Sequence, residues 1–142
     1  MNTNQKLITM EMKAKLSTLW IFVLLNVIFR DIHEFISPGF LAEMMTGTVN
    51  GIQMTEELLF LGAIMVEVPI VMVLLSRILQ CRVNRWANMV AGVFTILVVF
   101  SNVPTDFDDI FFEIIEVVSL LLIVWFAWKW PKGTVIGSFY ST

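Results

Sequence analysis

ELLFLGAIMVEVPIVMVLLSRIL, residues 57–79, is the stretch on which the fold turns. As a helix its 23 residues rise about 34 Å, enough to cross a bilayer core of roughly 30 Å. Almost every position is apolar, and the exception, Glu67, falls close to the middle. A carboxylate facing lipid at that depth costs at least ~2.5 kcal/mol, so this helix does not stand alone. Other helices must bring Glu67 a partner, and the rest of the chain reads as their source.

Composition sets the class. The 142 residues are 58% hydrophobic and only 15% charged, with a mean hydropathy of +0.83. A soluble domain sits nearer ~25% charged, so an integral membrane protein is expected. No basic patch marks a nucleic-acid partner. One cysteine, Cys81, excludes an internal disulfide and a Cys-rich metal or iron–sulfur site. One histidine, His33, excludes a multi-His zinc or haem site within one chain. There is no Gly-rich phosphate loop, no nucleophile–His arrangement of known spacing and no paired metal motif. No cofactor or metal site is assigned, and as evidence for an enzyme the sequence is almost silent.

Residues 1–15 are polar and basic, with Lys6, Lys13 and Lys15 against Glu11. The apolar run that follows contains Asn26, Arg30 and Asp31 and has no small-residue cleavage pattern, so a retained first helix is expected over 16–36. Ser37-Pro38-Gly39 ends it. Residues 40–45 suit a short surface helix, and 46–51 a flexible turn. Thr55 is placed to cap the second helix, 57–79, with Glu56 and Glu57 in its first turn. A short basic loop, 80–85, leads to a third helix over 86–103. Pro104-Thr105-Asp106 turns the chain into a fourth, 108–130, stopped by Pro131-Lys132-Gly133. The last ten residues are expected to be loosely ordered. The expected fold is all-α: a single membrane-embedded four-helix bundle.

Charge orients it. Eight of the nine Lys and Arg residues fall on the side shared by both termini and the 80–85 loop, and eleven of the twelve acids fall opposite or within the span. The positive-inside rule then places both termini in the cytoplasm. Trp20, Trp86, Trp125, Trp128 and Trp130 are expected to form an inner aromatic belt.

The outer half carries a polar constellation. Asn26, Arg30, His33 and Glu34 share one face of the first helix, and Asp109, Glu113 and Glu116 one face of the fourth. Asp31 sits about 100° round from Arg30. With Glu67 these stripes point to a common interior. Arg30 is one permanent cation against Asp31, Glu34, Glu67, Glu113 and Glu116. Some acids are therefore protonated, solvated, or paired with an external cation. The structural alternative is that Arg30 bridges Glu67 and Glu116 as a clamp. Pro69 frees the carbonyl of Met65 and kinks the second helix. Ala87, Ala91 and Gly92 form a small-residue face suited to close packing within the bundle.

Several strings carry a resemblance: Leu16-Ser17-Thr18-Leu19-Trp20-Ile21-Phe22, Glu67-Val68-Pro69-Ile70 with Leu74-Leu75-Ser76-Arg77, Asn84-Arg85-Trp86-Ala87-Asn88, and Trp125-Phe126-Ala127-Trp128-Lys129-Trp130. Over roughly 14–130 the chain resembles a family of small four-helix bacterial membrane proteins that is known as a domain of unknown function. The resemblance implies fold and topology but no activity. It also implies that Asp31, Glu67 and Glu116 stand at the family's usual acidic positions. Arg30, His33 and Glu34 stand where smaller or less charged residues are usual. More distantly, the architecture is similar to the DoxX-like group, with no motif to carry residues over.

The expected function is binding or transport at the outer half. A proton, cation or small cationic ligand would be held among Glu67, Glu116, Asp31, Glu113, Arg30, His33 and Asn26. The alternatives are a DoxX-like membrane enzyme or redox accessory taking a lipid-like ligand, or a structural subunit of a larger membrane complex. The lipid bilayer is the first partner; a homodimer or a membrane-protein partner stays open.

Overall fold

The computed structural model describes residues 3–49, 51–101, 104 and 106–130. In chain order they form α1 (Thr3–Ile36), α2 (Phe40–Met45), β1 (Thr48–Val49), β2 (Ile52–Gln53), α3 (Glu56–Ile78), α4 (Cys81–Ser101) and α5 (Phe107–Lys129). Four of the helices, α1, α3, α4 and α5, are long and apolar enough to cross a membrane. They pack in a ring, α1 against α3 and α5, and α4 against the same two.

Helix α1 begins at Thr3 rather than at Leu16. Nothing between the two breaks a helix: the segment has no Pro or Gly, and Lys, Leu, Met, Glu and Ala all favour one. The 34-residue helix is about 51 Å long, well over the ~30 Å of a bilayer core. Thr9 stays near Cys81 (Sγ to Oγ1, 3.9 Å) and the Lys15 ammonium lies over the Phe126 ring.

The basic stretch 80–85 is likewise helical. Helix α4 starts at Cys81, and the Asn84 amide donates to the Gln80 carbonyl at 2.8 Å. Only Leu79 and Gln80 join α3 to α4, which fixes them as antiparallel neighbours. Thr55 caps α3, its side chain accepting from the Leu58 amide. The 46–51 turn belongs to a small hairpin pairing Thr48 with Gln53 and Val49 with Ile52. Asn50-Gly51 is the strongest short-range hairpin sequence, and Gly51 takes the positive φ of 75° that such a turn requires. The expected stop at 131–133, the tail beyond it and the turn residue Thr105 lie outside the described residues.

Polarity runs inside out relative to a water-soluble bundle. Phe22, Phe60, Leu74, Leu97 and Phe111 are exposed, whereas Ser76, Asn84, Asn88 and Glu116 are fully buried. An apolar exterior of this extent far exceeds the patches of a few hundred Å² that a soluble monomer exposes. Two of the tryptophans differ from a belt. Trp20 and Trp130 are buried in the core, and only Trp86, Trp125 and Trp128 are exposed. Trp20 turns inward because its face of α1, shared with Leu16 and Val23, packs on the other helices. The small-residue face of α4 packs within the ring. A Cβ on Gly92 would sit 2.8 Å from Val124 Cγ2, so only glycine permits α5 this close.

Candidate functional site

Glu116 sits on the buried stripe of α5 with Ser119, Leu120, Ile123 and Ala127. It is completely shielded from solvent, and Arg30 Nη1 donates to its Oε2 at 3.0 Å. Its Oε1 is also buried and has no hydrogen-bond partner among the described residues. The carboxylate is thus held by one donor and keeps one oxygen able to take a proton or a second donor.

Glu67 does not join this pair. It is exposed, and among the described residues it makes no hydrogen bond or ion pair. Two facts of α3 explain this. Its buried positions are Pro69, Met72 and Ser76, and at 100° per residue Glu67 points about 140–180° away from them. The register also places it too deep. Ser17 Oγ donates to the Val73 carbonyl at 2.9 Å, which sets Val23 level with Glu67 and Arg30 about 10 Å further out. The clamp of Arg30 on both Glu67 and Glu116 therefore reduces to Arg30 on Glu116.

The remaining residues of the outer constellation divide. His33 Nδ1 lies 2.7 Å from Asp108 Oδ2, tying α1 to the first turn of α5. Asn26 spends its side-chain amide on the Phe22 carbonyl of its own helix. Both border an apolar groove of about 370 Å³ walled by Phe22, Phe29 and Phe112. Glu113 is half-buried and Asp31 exposed, neither bonded to a described residue.

A second cavity, of about 360 Å³, opens at the outer end. Glu34 of α1, Glu43 of α2, and Asp106, Asp108 and Asp109 at the start of α5 line it, with residues 37–40 closing the corner. Helical spacing had placed Glu34 and Asp109 on the polar stripes, but Glu43 belongs to a surface segment, and Asp106 and Asp108 stood at the turn into the fourth helix with no role assigned to them as a site. The available signal was the Ser37-Pro38-Gly39 turn, which folds α2 back over the entrance to α5. The five acids are spread round the walls. Among the described residues no three His, Cys, Asp or Glu side chains stand close enough together to hold a metal ion.

The inner half holds a neutral network that the charge pattern hid. Asn88 Oδ1 accepts from Trp20 Nε1 at 2.8 Å and from Ser76 Oγ at 3.0 Å. Asn88 Nδ2 donates to Asn84 at both its carbonyl and its Oδ1, and Asn84 Nδ2 donates to the Ser76 carbonyl at 2.6 Å. All four residues are fully buried, and they knot α1, α3 and α4 together. They come from the Trp20, Ser76 and Asn84–Asn88 strings, whose helical spacing within apolar runs was the signal that could have found them.

No curated protein and no solved structure matches the chain. The model of the family of unknown function DUF6326 matches residues 7–137, so the chain belongs to that family.

Proposed function

We propose that the chain is an integral protein of a bacterial inner membrane that binds a small organic cation at its outer end. The observation that carries this is the cavity of about 360 Å³ walled by Glu34, Glu43, Asp106, Asp108 and Asp109. Spread acids in a space that size suit an extended ammonium or guanidinium compound better than a bare metal ion, which needs converged ligands. Among the described residues Arg30 is the only Lys or Arg outside the basic end, and it is already engaged by Glu116.

Spermidine supplies a direct probe. In detergent at constant ionic strength it should raise the melting temperature of the purified protein; a ligand at 100 times its Kd contributes about 2.7 kcal/mol. Glu34→Gln with Asp106→Asn, one acid from α1 and one from the start of α5, should lose most of that rise. An equal rise with magnesium chloride would reduce the effect to unspecific screening of acids. No rise at all would remove the proposal.

Orientation belongs to the same proposal. Lys6, Lys13, Lys15, Arg77, Arg82, Arg85 and Lys129 all fall at one end of the ring, which supports cytoplasmic termini. A fluorescent protein fused at the C-terminus should glow, and alkaline phosphatase fused there should be inactive. The opposite pair of results would reverse the topology.

A further inference from the structure

Glu67 lies eleven residues from either end of α3, at the centre of the span. It is flanked along its face by Phe60, Ile64, Ile70, Val71 and Leu74, all exposed. From Glu56 to Glu67 every residue of α3 is exposed, and burial begins only at Val68 and Pro69. The outer half of α3 is therefore a free helix face with one carboxyl at its inner edge. In lipid that carboxyl has neither water nor a partner among the described residues, a situation costing several times thermal energy.

We infer that this face of α3 is the seam of a homodimer in which the two Glu67 carboxyls pair across a two-fold axis. The inference rests on the membrane reading above. A bilayer fixes orientation, so two copies meet with equal depths opposed. The exposed surfaces of the other three helices at that depth offer Phe22, Leu25, Leu97 and Leu121, none of which can satisfy a carboxyl. Asn26 stands about 4.5 Å further out and spends its amide on the Phe22 carbonyl, which leaves a second Glu67, because two carboxyls sharing one proton are both donor and acceptor and carry half the charge of two carboxylates. The contact is isologous and self-complementary, as a closed two-fold dimer demands. A different membrane protein would instead have to bring a cation or an amide to mid-depth.

Cysteine crosslinking in native membranes tests this, in a Cys81→Ser background. The membrane fraction is first washed with alkaline carbonate; loss of the chain there would refute the membrane reading and not the seam. In the retained fraction, Ile64→Cys and Val71→Cys, each a turn from Glu67, should give disulfide dimers on mild oxidation. Leu25→Cys and Leu122→Cys, on α1 and α5, should stay monomeric. Adding Glu67→Lys, which opposes two cations, should cut the crosslinked fraction roughly tenfold or more. Glu67→Gln, whose amides can pair with each other, should keep it. Dimers that form equally at all four sites, form at none, or persist with Glu67→Lys would overturn the seam.

Discussion

Arg30→Met is expected to destabilise the protein by about 3–5 kcal/mol, the cost of leaving a buried charge without its partner. Glu116 is wholly enclosed, and among the described residues Arg30 Nη1 is its single donor, since Oε1 has none. Met keeps most of the volume of the Arg stem, so packing is largely preserved and the loss is electrostatic. The double variant Arg30→Met with Glu116→Leu should recover most of the loss, because paired ions in a dry interior often contribute little beyond what a well-packed apolar pair would. Unfolding of the two single variants and the double in one detergent gives the interaction energy directly. An Arg30→Met protein as stable as the parent would mean that Glu116 carries no charge in the folded chain. Glu67→Gln is the contrast. Glu67 is exposed and unbonded, so that change should move stability of the single chain by less than about 0.5 kcal/mol.

The contrast shows which parts of the chain were legible in the sequence. The four long helices were, because apolar runs of bilayer length between Pro and Gly breakers admit little else. Their ends were less so: the basic residues of 3–15 and 80–85 read as flanks, though a run of Lys, Arg, Met and Asn without a breaker continues a helix. Helical spacing correctly put Arg30 and Glu116 on stripes that meet. It could not say which way Glu67 points. Period and hydropathy are uniform round α3, and its packing face is set by Pro69, Met72 and Ser76, which look no more inward than their neighbours. The acidic cavity was hidden for a different reason. It is assembled from α1, α2 and the start of α5, which only the fold-back at residues 37–39 brings together. Charge drew attention to the outer half, while a neutral amide with all its hydrogen bonds made, Asn88, lies in the inner half.

That amide carries the second large effect. Asn88→Leu is expected to cost about 2–4 kcal/mol although the two side chains are close in size. Asn88 uses its whole hydrogen-bonding capacity: Oδ1 takes two donors and Nδ2 serves two acceptors. Leucine would leave the Trp20 indole N–H, the Ser76 hydroxyl and the Asn84 Oδ1 unpaired in a space without solvent. A single interhelical bond in a membrane protein averages only about 0.6 kcal/mol, so one lost bond would be hard to detect. Three groups orphaned together are another matter, since each bears its own desolvation cost of roughly 1–3 kcal/mol, partly relieved by rearrangement. Trp20→Phe separates the two regimes. It deletes one donor, leaves Asn88 with Ser76 and Asn84, and should cost about 1 kcal/mol or less. A several-fold larger loss for Asn88→Leu than for Trp20→Phe would identify Asn88 as the hub that sets the register of α1, α3 and α4. Equal losses would instead make the indole's packing, and not the amide network, the element that holds the inner half together.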